Sequence, residues 1–132
     1  MDRPPIDELT YSVIGAFFEG YNTLGFGFLE HVYTLALERE LRARGHDVAR
    51  EVSIPVFYKG DELTRQRLDM IVDHVLVVES KSTTKLDKSA PRQLYNYLKS
   101  TKLEAGLLFI SDRNRASFRA NFRNMQFKSK DL

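Results

Sequence analysis

The stretch Arg67–Lys81, R-L-D-M-I-V-D-H-V-L-V-V-E-S-K, decides the fold. Its two apolar runs, separated by Asp73-His74, are typical of two β-strands joined by a tight turn. Alternate residues of a strand share a face, so Glu79 and Lys81 point one way and Ser80 points the other. A carboxylate and a lysine at the end of an apolar strand are costly to bury unless they are paired or bind something.

The length of the turn decides whether Asp69 joins this pair. A two-residue loop at Asp73-His74 pairs residue 72 with 75 and places Asp69 opposite Val78, on the wrong face. A three-residue loop pairs residue 72 with 76 and places Asp69 opposite Glu79. A site that uses both carboxylates therefore requires the longer loop or a bulge.

The rest of the chain reads as helices and strands in the order α-α-β-β-β-α-β. The helices are predicted at about 6–22, 28–44 and 88–100, and the strands at about 48–58, 63–72, 75–81 and 105–110. Gly45 is expected to end the second helix. Residues 112–132 fit a final strand, a helix or an arm, and we expect a partly ordered segment.

The composition indicates one globular domain spanning residues 1–132. Of the 132 residues, 42% are hydrophobic and 29% are charged, which is typical of a folded chain with one core. The sequence has no cysteine, so it has neither a disulfide framework nor a thiolate metal site. We see no signal peptide and no apolar run long enough to span a membrane, and we expect a cytoplasmic protein.

Charge is distributed unevenly along the chain. Residues 1–80 hold 8 Lys/Arg against 14 Asp/Glu, whereas residues 81–132 hold 12 Lys/Arg against 4 Asp/Glu. A basic second half beside a carboxylate cluster suits a phosphodiester substrate. A solvated helix face followed by a basic tail would give the same asymmetry.

The pattern D-x9-E-x-K on a hairpin resembles the metal-binding signature of the PD-(D/E)XK nuclease superfamily. The segment Gly27–Tyr33 is similar to the G-x-x-E-x-x-Y signature of one bacterial branch, the GxxExxY proteins. Leu68 stands where the "PD" proline would be. Further matches lie at residues 54–60, 93–98 and 106–109, so the resemblance covers roughly residues 8–112.

The resemblance implies an α/β (α+β) fold with a restriction-endonuclease-like αβββαβ core. The core would be a mixed central sheet flanked by helices, spanning about residues 27–111. The first predicted helix would be an N-terminal addition, and residues 112–132 a basic C-terminal segment.

Asp69 and Glu79 are the expected ligands of a hard divalent cation, Mg2+ or Mn2+, with the backbone carbonyl of Ser80 as a third donor. Lys81 would position the attacking water or the phosphate electrostatically. The alternative is a cross-strand charge group in which Arg67 and Lys81 neutralise the two carboxylates.

The resemblance also implies that Glu30 completes the acidic cluster, directly or through a water. Its alternative role is to complement the dipole at the start of the second helix. Gln93 would orient the lysine, a water or the phosphate. Lys85, Lys88 and Arg92 would contact phosphates non-specifically, or simply form an exposed basic face.

These residues predict a metal-dependent nuclease acting on DNA or RNA phosphodiesters. A double-strand cut would require a homodimer or two encounters, because the chain carries one D…E-x-K element. A non-catalytic nucleic-acid-binding or protein-interaction module that keeps the fold is the first alternative. The second is a structural oligomer paired through the aromatic-rich region around residues 17–28.

Overall fold

A computed structural model describes residues 6–82, 92, 96, 98, 101, 103–111 and 116–122. Two helices come first, α1 (Ile6–Leu24) and α2 (Glu30–Ala43). The strands of the described residues are β1 (Val48–Tyr58), β2 (Asp61–Val72), β3 (Leu76–Ser82), β4 (Ala105–Ser111) and β5 (Ala116–Phe122). Residues 92, 96 and 98 are helical, within the third predicted helix.

The strands form one mixed sheet in the order β1-β2-β3-β4-β5. Strands β3 and β4 run parallel, and the other neighbours are antiparallel. The predicted α+β architecture, consistent with a restriction-endonuclease-like core, is confirmed. Within the described part of the chain, no helix is long and apolar enough to cross a membrane.

Of the alternatives for residues 112–132, the final strand is formed by residues 116–122, which make the edge strand β5 beside β4. The sequence A-S-F-R-A-N-F does alternate between apolar and polar residues, with period 2. The surrounding arginines obscured this signal. Phe118 lies against Phe18 and Phe109, with ring centroids 6.4 Å and 6.5 Å away.

Hydrophobic clusters cover both faces of the sheet. Helices α1 and α2 pack on one face, where the rings of Phe17 and Phe109 stack at 4.1 Å. The other face carries a second cluster that includes Leu98. All seven residues of β4 are buried, as expected for a strand covered on both sides. The sheet centre is therefore a rigid base for side chains at the strand ends.

Helix α2 ends as predicted at Gly45, whose φ of 87° is left-handed. The N–H of Gly45 donates to the carbonyl of Arg42, and the N–H of His46 donates to the carbonyl of Leu41, both at 3.0 Å. This is a Schellman motif. It turns the chain sharply towards β1 and fixes the backbone at His46.

Two residues of the G-x-x-E-x-x-Y segment have structural roles. Gly27 has a φ of 115°, which a residue with a Cβ rarely adopts. The buried Tyr33 hydroxyl donates to the carbonyl of Gly25 at 2.6 Å and accepts the N–H of Phe28 at 3.3 Å. Tyr33 thus closes the loop between α1 and α2 and fixes where α2 begins.

We expect Tyr33→Phe to destabilise the protein by about 1–2 kcal/mol, because the Gly25 carbonyl loses its donor at a largely buried site. Thermal unfolding measures this as a drop in Tm of several degrees. Tyr11→Phe is the control, since Tyr11 is 81% exposed. Equal melting temperatures for the two variants would show that the Tyr33 hydroxyl does not hold the loop.

Candidate active site

The β2–β3 hairpin has the register that a site at Asp69 requires. Its ladder pairs Met70 with Val78, Ile71 with Val77, and Val72 with Leu76. The connection is therefore a three-residue loop, and the next position along the two strands sets Asp69 opposite Glu79. Of the two loop lengths, the one present is the longer loop that a site using both carboxylates requires.

Beyond this ladder, backbone N–H groups of β2 and β3 donate to carboxylate side chains of the opposite strand. The N–H of Asp69 donates to Oε1 of Glu79 at 3.2 Å, and the N–H of Ser80 donates to Oδ2 of Asp69 at 3.1 Å. The two carboxylates thus lie between β2 and β3 at the point where the ladder between these strands stops. A side-chain hydrogen bond also joins the two carboxyl groups.

The pKa of Glu79 is raised to about 8. Burial is the main cause, and the negative charge of the neighbouring Asp69 adds to it. The hydrogen bond from the Asp69 N–H and the charge of Lys81 lower the pKa by less. The site therefore holds two carboxyl groups that resist being ionised together unless positive charge is supplied.

Within the described part of the chain, neither Arg67 nor Lys81 forms an ion pair with either carboxylate. The alternative of a neutralised cross-strand charge group is thus not formed by these residues. Lys81 is partly buried and acts on Glu79 only through its charge.

A cleft of about 160 Å³ lies between the start of α2 and strands β1, β2 and β3. The residues that line it are Glu30, His31, Thr34, Arg50, Glu51, Arg67, Leu68, Asp69 and Ser80. Glu30 is the first residue of α2, where the helix dipole favours a carboxylate. The cleft joins Glu30 and Asp69 in one concave surface.

A direct grouping of Glu30 with Asp69 and Glu79 as metal ligands is not formed among the described residues. Among the described residues, no three His, Cys, Asp or Glu side chains are grouped closely enough to hold a metal ion. The closely placed oxygen donors are those of Asp69 and Glu79.

Sequence reasoning missed two cleft residues on β1. Arg50 donates to Oε1 of Glu38 at 2.8 Å and to the carbonyl of Asp69 at 3.3 Å. Glu51 has a φ of 53°, at the point where the β1–β2 ladder skips the pair opposite Asp69. Only the register of the β1–β2 hairpin reveals that these residues flank Asp69.

The remaining predicted site residues follow β3. Lys85, Lys88 and Gln93 lie outside the described residues. Arg92 is exposed and helical.

The mixed five-stranded sheet with flanking helices places the chain in the restriction-endonuclease-like class. A sequence profile of the PD-(D/E)XK nuclease superfamily matches residues 7–120. Because the match covers most of the chain, the chain belongs to this superfamily. No curated protein matches the sequence significantly.

The fold is similar to that in the crystal structure of SSO0001, with a TM-score of 0.53 and 23% sequence identity. The similarity covers 74% of this chain and 52% of the SSO0001 chain. This chain therefore spans about half of that protein, and the likeness shows the fold alone.

The two carboxylates fit a divalent cation of the kind that superfamily members generally use. Both supply hard oxygen donors, and their mutual repulsion is relieved by positive charge. The N–H and C=O groups of one strand residue point to the same side, so the Ser80 carbonyl faces the gap that its N–H faces. It is a third oxygen donor of the same kind.

We expect the stability of the metal-free protein to fall as pH rises from about 4.5 to about 8. In this window the folded protein keeps a proton on Glu79 that the unfolded chain has already released. Glu79→Gln has no such proton, so its stability lacks this fall. Denaturation of both proteins across the window, with a chelator present, measures the difference. A gap between them that stays constant with pH would contradict the raised pKa.

Proposed function

We propose that this protein is a metal-dependent nuclease of the GxxExxY branch, hydrolysing DNA or RNA phosphodiesters as a single cytoplasmic domain. The observation that carries the proposal is the Asp69–Glu79 pair, whose charge no ion pair among the described residues neutralises. Folding alone gives little reason to hold two carboxylates this way at the end of an apolar strand.

Asp69, Glu79 and the Ser80 carbonyl would hold Mg2+ or Mn2+. When bound, the cation would supply Lewis-acid stabilisation of the phosphate and a more acidic water. Glu30, across the cleft, would orient a water next to this pair.

The cationic residues near the carboxylate pair would have different roles. The charge of Lys81 acts on Glu79, so Lys81 would hold the attacking water or a phosphate oxygen electrostatically. Arg67 is exposed, lines the cleft and makes no ion pair within the described residues. It would hold the substrate phosphate. Arg50 is engaged with Glu38 and fixes the backbone at Asp69 instead.

Asp69→Asn is expected to abolish Mn2+ binding and cleavage while leaving stability unchanged or raised. The change removes the repulsion with Glu79, and the amide oxygen still accepts the Ser80 N–H. Calorimetric titration with Mn2+, cleavage of mixed nucleic acids and Tm with and without the ion measure these effects.

Lys81→Ala is the companion variant, since it should lose turnover but keep Mn2+ affinity. In contrast, a purely structural charge group predicts that Asp69→Asn strands a positive charge and costs about 1–3 kcal/mol. A wild-type protein that gains no stability from the ion, together with an Asp69→Asn variant melting several degrees lower, would rule out the metal site.

Arg67→Ala should weaken nucleic-acid binding at all sequences and reduce the salt dependence by about one phosphate contact. Arg65→Ala is the matched control, because Arg65 lies on the same strand but is bonded to Glu62 and Ser53. Fluorescence anisotropy with a labelled oligonucleotide at several salt concentrations gives both slopes. Equal salt dependence of binding for the two variants would show that Arg67 does not contact the substrate phosphate.

A non-catalytic nucleic-acid-binding module is the second candidate. It is favoured by the lack of a third acidic group beside Asp69 and Glu79 among the described residues. Nucleic-acid binding by wild-type protein that neither takes up Mn2+ nor cleaves would support it.

A further inference from the structure

The β2–β3 turn is bound to the segment that leads from α2 into β1. Asp73 accepts a hydrogen bond from Nδ1 of His46 and another from the N–H of Asp47, both at 2.8 Å. The N–H of Asp73 donates to the carbonyl of Asp47 at 2.9 Å. Three bonds thus join one turn residue to His46, which the Schellman motif holds in place, and to its neighbour Asp47.

The connection continues into helix α1, because Nε2 of His46 lies 2.8 Å from Oγ of Ser12. A carboxylate only accepts, so Nδ1 carries the proton, and Nε2 of a neutral ring accepts from the serine hydroxyl. The order of atoms is that of a hydrolase triad. However, Ser12 lies within α1, where the helix consumes the backbone N–H groups that an oxyanion hole needs. The arrangement is therefore structural. The hydrogen bonds that the Asp73 carboxylate accepts from His46 and Asp47 are called the tether.

The turn itself favours a different register. Asp73 and His74 have φ values of 51° and 64°, and the N–H of Val75 donates to the carbonyl of Val72 at 3.1 Å. Two left-handed residues closed by this bond form a two-residue hairpin turn, which alone pairs residue 72 with 75. The ladder pairs residue 72 with 76 instead. Val75 is therefore an extra residue, and its carbonyl accepts the N–H of Glu104 at 2.9 Å.

The apolar pattern of β3 does not select between these registers. Val75, Leu76, Val77 and Val78 are all buried, so both faces of the strand are apolar. A slip by one residue exchanges one apolar set for the other, but places Asp69 opposite a valine. The geometry and anchoring of the turn must therefore contribute to the choice.

We propose that Asp73, bound by His46 and Asp47, is a positioning residue that holds the hairpin in the register that brings Asp69 opposite Glu79. The register is a property of the fold, and only its consequence for metal binding rests on the proposed function. The Asp73 carboxylate accepts two of the hydrogen bonds that join the turn to residues 46 and 47.

Asp73→Gly tests this, with His74→Gly as the matched control. Both residues have left-handed backbones, so glycine suits both positions equally. Asp73→Gly removes the two hydrogen bonds of the carboxylate, whereas His74→Gly removes an exposed ion pair with the side chain of Asp47. Backbone NOEs between residues 71 and 77 report the observed register, and NOEs between 71 and 76 report the slipped one. Calorimetry with Mn2+ reports the site.

In Asp73→Gly we expect the 71–77 NOEs to weaken or to be replaced, and Mn2+ affinity to fall roughly 10- to 100-fold, as for other changes behind a metal ligand. His74→Gly should keep both. Asp73→Asn should restore the 71–77 NOEs, because the amide oxygen still accepts the Asp47 N–H and asparagine tolerates a left-handed backbone. His46→Ala removes one of the two hydrogen bonds to the Asp73 carboxylate. We expect it to give smaller losses of the 71–77 NOEs and of Mn2+ affinity, and it serves as the test if Asp73→Gly fails to fold.

Native NOEs and unchanged Mn2+ affinity in folded Asp73→Gly or His46→Ala, with or without a lower Tm, would overturn the proposal. Equal losses in Asp73→Gly and His74→Gly would do the same. If wild type binds no Mn2+ but Asp73→Gly loses the 71–77 NOEs, the tether stands and the nuclease proposal fails.

Discussion

The separation of β2 from β3 at the level of Asp69 is the constraint on which the site depends. Two carboxylates fit between the two strands only because the ladder there stops after three pairs. Strand β3 stays in place because its parallel partner β4 pairs with it along all seven residues from Leu76 to Ser82. The fully buried β4 thus supplies backbone hydrogen bonds to β3 where β2 no longer pairs with it. The edge of β3 that faces β2 is then free to bind carboxylates.

A second consequence concerns the turn at the other end of the hairpin. Opening the strands at Asp69 removes the hydrogen bonds that would otherwise help to fix the register. The contacts of Asp73 with His46 and Asp47, and of Val75 with Glu104, lie at the closed end and replace them. Part of the specificity of the candidate site is therefore built outside the cleft.

The fold was largely predictable because its elements have strong local signals. The period-2 and apolar runs predicted β1 to β4, and Gly45 correctly marked the end of α2. The register was reduced to two alternatives, since loop length has only two sensible values at Asp73-His74. Sequence could not choose between them, because the contacts that bear on the choice come from residues 46, 47 and 104, distant in the chain.

The site was less predictable than the fold, for a related reason. Asp69, Glu79 and Ser80 lie on one hairpin, so their proximity follows from pairing. Arg50 and Glu51 reach the cleft only through the long β1–β2 hairpin, and the irregularity at Glu51 depends on a backbone conformation that glutamate rarely adopts. Residue type and spacing carry no signal for such a conformation.

The hydrogen bonds of the carboxylate pair also explain how such a site can fold without a cation. In zinc fingers the metal supplies the folding free energy, because the ligands have no other partners. Here Asp69 and Glu79 each accept a backbone N–H, which offsets part of the cost of their burial. The unfavourable energy that remains is the rest of the cost of burial and the repulsion between two groups that cannot readily ionise together. A bound cation would act on this remainder alone, so it would add to the stability of a fold that already exists.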